Sequence, residues 1–183
     1  RFRMLYSYKQ CLEKYKTDYL LEKALEEKKM FKVEKGVYSD KSSCSKLAVI
    51  AFKKPDSIFT MNSAFYYQDL TDEIPDNYYI ATERNSTKIK DKEIKQLFYP
   101  KETVNLGVEE KNILGTSVKV YTKERMLIEL IRHKNKIPFD YYKEIVSNYR
   151  NKTYELDIQW LEENVSKFPA SKKIMDIIQL EIF

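Results

Sequence analysis

Apolar residues recur at spacings of three and four through Tyr8, Cys11, Leu12 and Tyr15, and again through Leu21, Ala24 and Leu25. That is the period of helices with one buried face. Ser7 is placed to cap a first helix running to about Lys16, and Thr17-Asp18 offers a cap for a second. A connection of about three residues between two amphipathic helices is the one a helix-turn-helix uses. The pattern then becomes strand-like at Phe31-Lys32-Val33 and Val37-Tyr38, joined through Glu34-Lys35-Gly36. Gly36 can take the positive φ that a tight hairpin turn requires. Helix, helix, hairpin is the order of a winged helix.

Beyond it the pattern changes twice. Leu47 to Phe52 is a short apolar run that periodicity cannot assign to strand or buried helix. Strand signals follow at Ser57–Met61, Tyr78–Thr82, Gln96–Tyr99, Asn105–Glu110 and Thr116–Tyr121, with a short capped helix at Asn62–Tyr67. Arg84 to Lys95 is polar and reads as a mobile loop. From Thr122 the period is helical. Thr122-Lys123-Glu124-Arg125 caps a helix buried through Met126, Leu127, Leu130 and Ile131. Further helices are predicted at Phe139–Asn151, Leu156–Val165 and Ala170–Phe183. The expected fold class is α+β: a winged helix-turn-helix over residues 1–42, then a small sheet and a helical half over 43–183.

Charge sharpens this division. Residues 1–46 carry 12 Lys+Arg against 7 Asp+Glu, whereas the remaining 137 carry 21 of each. A basic module on a neutral body fits a DNA reader joined to a sensing or partner domain. In the winged-helix docking geometry the second helix leads with its N-terminus into the major groove. Thr17, Tyr19 and Lys23 are then placed to approach base edges, and Lys9, Lys14, Lys16, Lys32 and Lys35 to reach phosphates. Asp18, Glu22, Glu26 and Glu27 on that same helix oppose phosphate contact. Two copies on paired sites would compensate.

Other chemistry has less support. With 3 glycines in 183 residues there is no phosphate-loop or dinucleotide fingerprint. One histidine, His133, and two scattered cysteines, Cys11 and Cys44, do not make a zinc site, and free thiols suit a reduced cytoplasm. No apolar run approaches the roughly 18 residues that a membrane span needs. No catalytic residue, metal or cofactor is therefore assigned. The chain opens on Arg1 rather than Met, so a longer N-terminus is expected. One enzymatic pattern competes: Pro75-Asp76 followed by Glu93-Ile94-Lys95, the elements with which a class of nucleases holds a divalent metal. Here Glu93 and Lys95 fall in the polar loop. Glu124-Arg125 and Arg132-His133 share a helix face and read as an ion pair orienting it against the sheet.

Several stretches, in order, are similar to one family. They are Phe31 to Tyr38, Ser63-Ala64-Phe65, Leu70-Thr71-Asp72-Glu73-Ile74-Pro75, and Tyr121 to Arg125 leading into Leu127 to Arg132. Through them the chain resembles the AbiEi antitoxins, the regulator half of a type IV toxin–antitoxin pair of abortive phage infection. The resemblance implies a winged helix that represses its own operon through inverted repeats. It also implies relief of toxicity from a nucleotidyltransferase-like toxin, without a stable complex between the two.

Overall fold

The computed structural model describes residues 5–183. Arg1 and Arg3, two of the cations counted above, lie outside the described residues. The chain forms two compact units, dividing between Asp56 and Ser57. It is a mixed α+β protein.

The first unit runs β1 (Leu5–Ser7), α1 (Tyr8–Tyr15), α2 (Asp18–Glu26), β2 (Phe31–Glu34), β3 (Val37–Ser39) and α3 (Lys46–Lys53). Its three strands are antiparallel in the order β1-β3-β2. The pattern gave no sign of β1, whose three residues pair with β3 from Leu5↔Ser39 to Ser7↔Val37. One apolar cluster joins Cys11, Leu21, Ala24, Met30 and Tyr38, and so packs both helices on the hairpin. A second joins Leu5, Val37 and Ala48. The ambiguous apolar run is the helix α3, capped by Ser45, whose Oγ accepts from the Ala48 amide at 3.1 Å. Because Ala48 packs on β1 and β3, and Lys53 pairs with Glu34 at 3.3 Å, this unit ends at Asp56 rather than at residue 42. So drawn, it holds 14 Lys+Arg against 8 Asp+Glu, and the rest of the chain 19 against 20.

The second unit begins with β4 (Ile58–Phe59), α4 (Met61–Tyr67), β5 (Tyr78–Glu83), β6 (Ile94–Tyr99), α5 (Lys101–Val104), β7 (Val108–Ile113) and β8 (Thr116–Tyr121). Then come α6 (Lys123–Arg132), α7 (Phe139–Arg150), α8 (Ile158–Asn164) and α9 (Ser171–Glu181). The sheet order is β6-β5-β4-β8-β7, with β4 parallel to β8 and β5 parallel to β6. Three expectations are corrected. The strand at 57–61 shrinks to two residues because Met61 already opens α4. The strand expected at Asn105–Glu110 lies at Val108–Ile113, displaced by the short α5 and the turn through Gly107. The polar loop ends early: Ile94 and Lys95 pair with Tyr78 and Tyr79, so Lys95 stands on a strand.

Helix α6 runs through the core, every residue from Arg125 to Ile131 being buried. Arg125 and Glu129 are both 0% exposed. Arg125 Nε donates to Glu129 Oε1 at 3.2 Å, and its Nη1 donates to the carbonyls of Thr103 and Leu106. The guanidinium also lies over the rings of Tyr121 at 4.3 Å and Phe168 at 4.8 Å. Gly107 makes this possible twice over. Its φ is +74°, and a Cβ there would stand 2.8 Å from Arg125 Cβ and 3.0 Å from Trp160. Arg132 and His133 turn inward to the same carboxylate, Arg132 Nη1 at 2.8 Å from Glu129 Oε1 and His133 Nδ1 at 3.3 Å from Oε2. The ion pair expected on this helix face has Glu129 as its acid and not Glu124, whose Oε1 instead accepts from the Asp157 amide at 2.8 Å.

Removing one member of a buried pair strands the other charge, at a cost of about 3–5 kcal/mol. Glu129→Leu is expected to destabilise this unit by that amount, and Glu129→Gln, which keeps an acceptor, by less. Urea denaturation followed by Trp160 fluorescence checks it, since the chain's one Trp sits in this unit.

Candidate nucleic-acid interface

The first unit holds its first two helices by local hydrogen bonds, because helices of 8 and 9 residues are too short to persist alone. Ser7 and Gln10 form a reciprocal capping box: Ser7 Oγ accepts from the Gln10 amide at 3.2 Å, and Gln10 Oε1 accepts from the Ser7 amide at 2.8 Å. The Ser7-x-x-Gln10 spacing is the sequence signature of that box. Helix α1 ends at Lys16, whose φ of +72° turns the chain while its amide donates to the Leu12 carbonyl at 2.7 Å. Thr17 then caps α2, its Oγ1 accepting from the Leu20 amide at 3.2 Å. The tyrosine hydroxyl of Tyr8 donates to Asp18 Oδ1, tying the start of one helix to the start of the next. That bond raises the Tyr8 pKa, the negative carboxylate opposing ionisation of the phenol.

All eight sequence-predicted residues are exposed: Lys9, Lys14, Lys16, Thr17, Tyr19, Lys23, Lys32 and Lys35. Their freedom differs. Tyr19, 72% exposed in the first turn of α2, projects away from Leu21 and Ala24, the buried residues of that helix. Lys23 shares its outward side. The oxygen of Thr17 is occupied by the cap, although its hydroxyl proton remains available to an acceptor. Lys14 lies over the rings of Tyr6 at 5.2 Å and Tyr15 at 5.6 Å, which fixes its ammonium against the module. At the hairpin, β2 carries an irregularity between Lys32 and Glu34. It leaves Lys32 and Val33 both exposed and lets Glu34 meet Lys53. Lys35-Gly36 forms the tip. Gly36 has a φ of +79° and open space around its missing Cβ, so conformation and not crowding demands glycine.

The acids of α2 are partly answered. Asp18 is engaged by Tyr8, and Glu27 lies 2.5 Å from Lys29 and 4.0 Å from Lys23. The hydrogen bond from Lys29 lowers the Glu27 pKa and raises that of Lys29. Glu22 and Glu26 stay exposed beside Tyr19 and Lys23. Positive charge free to meet an anionic surface therefore sits at the α1–α2 turn and at the hairpin, not along α2.

Cys11 and Cys44 are free thiols, and burial raises the pKa of both. No family model and no curated protein matches the chain.

In the second unit, two residues of the nuclease pattern, Asp76 and Lys95, meet at Tyr79, while Glu93 lies exposed in the turn before β6. Tyr79 OH donates to Asp76 Oδ1 at 3.0 Å, and Lys95 Nζ lies over the Tyr79 ring at 5.5 Å. Burial, with that hydrogen bond, raises the Tyr79 pKa to about 12. Among the described residues no group of three His, Cys, Asp or Glu side chains is arranged to hold a metal ion. No helix among them is long and apolar enough to cross a membrane. Ser63 is committed to structure, its Oγ accepting from the Tyr79 amide at 2.9 Å.

Loss of an N-cap oxygen costs about 1 kcal/mol. Thr17→Ala is expected to lower the opening free energy of α2 by that amount, and Thr17→Ser to restore it, read by amide hydrogen exchange over residues 18–26.

Proposed function

We propose that the chain is a DNA-binding autorepressor and the antitoxin of a type IV toxin–antitoxin pair, of the AbiEi kind. The observation that carries the DNA-binding half is the layout of the first unit. Strand, two capped helices and a lysine-tipped hairpin, in the sheet order β1-β3-β2, fit a winged helix whose wing is β2–β3. The excess of 6 positive charges over residues 1–56 fits an anionic partner. On this reading Lys9, Lys16, Lys32 and Lys35 contact phosphates, and Tyr19 and Lys23 approach base edges. Lys14, held on its aromatic neighbours, contributes field more than contact. The antitoxin half rests on the resemblance of the ordered motifs alone, with a nucleotidyltransferase-like toxin as its functional partner. No catalytic group, metal or cofactor enters the mechanism. The protein acts in the cytoplasm, as two copies on inverted repeats.

The reading implies an affinity dominated by counterion release. Each phosphate neutralised on duplex DNA adds about 0.9 to the slope of log K against log salt. Binding to DNA from directly upstream of the gene is expected to exceed that to a scrambled duplex and to fall steeply with salt. Lys32→Glu with Lys35→Glu should weaken both duplexes about equally and flatten the slope, whereas Tyr19→Ala should erode the preference between them. A wing pair that proves neutral at low salt would overturn the wing assignment.

A metal-dependent nuclease remains the second reading, favoured by the placement of Lys95 on a strand beside Tyr79 and Asp76. Plasmid cleavage in Mg²⁺ that is abolished by Asp76→Ala or Glu93→Ala would favour it over the repressor.

A further inference from the structure

A cleft of about 520 Å³ opens in the second unit, in the size range of small-molecule sites. It lies where two parallel strands end, at the carboxyl ends of β5 and β6, whose last pair is Glu83↔Tyr99. The ends of parallel strands are where α/β sheets most often receive ligands. Its wall carries three cations from three separate elements: Arg84 just past β5, Arg132 at the end of α6, and Lys167 in the 3₁₀ turn after α8. Glu102 is the one acid on that wall, and His133 joins it.

The cations are not equivalent. Arg132 is held by Glu129, which Arg125 holds in turn, so its guanidinium is fixed before any ligand arrives. Arg125, Arg132 and Glu129 together leave one positive charge, and Arg84 and Lys167 add two against Glu102. His133 Nδ1 faces only acceptors, the Glu129 carbonyl at 2.9 Å and its carboxylate, so it carries the proton. In the neutral ring that leaves Nε2 as an acceptor for a hydroxyl. Aromatic surface completes the cleft through Phe98, Tyr99 and Phe168, and Phe98 is 45% exposed on the outer strand. An exposed ring beside one fixed guanidinium and two further cations suits a planar ring joined to a phosphate.

We propose that this cleft binds a nucleoside phosphate, its phosphate held by Arg84, Arg132 and Lys167 and its base laid on Phe98. None of these residues belongs to the DNA-contact set, and the proposal does not rest on the repressor reading.

Isothermal titration of the whole chain with AMP and GMP, and separately with adenosine and inorganic phosphate, tests it. One site per chain is expected for a nucleotide, with adenosine and phosphate each at least tenfold weaker. Arg84→Ala with Lys167→Ala should lower nucleotide affinity at least tenfold. Phe98→Ala should lower nucleotide affinity and leave phosphate binding unchanged, and Lys143→Ala, on α7 outside the cleft, should change neither. Arg84, Lys167 and Phe98 are exposed, so these variants should keep the parent's unfolding transition, which Trp160 fluorescence verifies. Absence of nucleotide binding would overturn the proposal. So would phosphate binding as tight as AMP, or affinity indifferent to the Arg84 and Lys167 changes.

Discussion

The second unit depends on one buried ion pair. Arg125 and Glu129 sit a single helical turn apart on α6, both fully enclosed. Taking two charges out of water costs several kcal/mol per ion, and their attraction offsets this only where the remaining hydrogen-bonding capacity is met. Here much of it is met. The guanidinium reaches the carbonyls of Thr103 and Leu106 and lies on aromatic faces, while Arg132 and His133 approach the carboxylate. The arrangement binds the loop around Gly107 to the central helix and explains why that position excludes a side chain. Breaking such a pair is costly, yet its presence is no measure of extra stability, because desolvation consumes much of the attraction. The pair also fixes Arg132 at the rim of the cleft, so the core and the proposed ligand site share one electrostatic anchor.

The first unit solves a different problem. Its helices are too short to form alone, and its small core must order three helices and three short strands. Caps at Ser7, Thr17 and Ser45, the Tyr8–Asp18 bond and the Glu34–Lys53 pair supply what length cannot. Several of these polar groups lie beside the proposed DNA-facing residues. Thr17 both caps α2 and stands at its leading end, so a substitution there alters stability and recognition together.

Local order was largely legible in the sequence, since caps and apolar spacing determine where a chain turns helical. The span of α1, the start of α2 at Thr17, the hairpin at Gly36 and the start of α6 at Thr122 are each legible in a few residues. What was not legible depended on distant partners. β1 is three residues long and exists because β3 offers an edge. The run at Leu47 is helical because Ser45 caps it and Ala48 meets Leu5 and Val37, contacts no local window contains. The strand at Ile94 looked like loop because its alternation is weak and its pairing with Tyr78 lies across a long polar excursion. At the candidate interface the sequence named the exposed residues, yet not that Lys14 is held by tyrosine rings or that Lys29 answers Glu27. The cleft was invisible, because Arg84, Arg132 and Lys167 are separated by tens of residues and only the ends of β5 and α6 bring them together.

The distribution of charge constrains how the proposed DNA contact would work. A recognition helix whose outward side alternates Tyr19 and Lys23 with Glu22 and Glu26 gains little from phosphates and is repelled where the acids approach them. The lysines of the turn and the hairpin would then provide the attraction, which holds any duplex alike. Acidic groups on the inserted helix need not oppose recognition, since a carboxylate accepts from the amino group of cytosine. They do penalise every sequence that lacks one in the right place. General attraction confined to the turn and the hairpin, combined with a repulsive helix, favours discrimination over affinity. Two copies acting on paired half-sites would recover the affinity that one copy forgoes, because the second binding event proceeds at the high effective concentration set by the first.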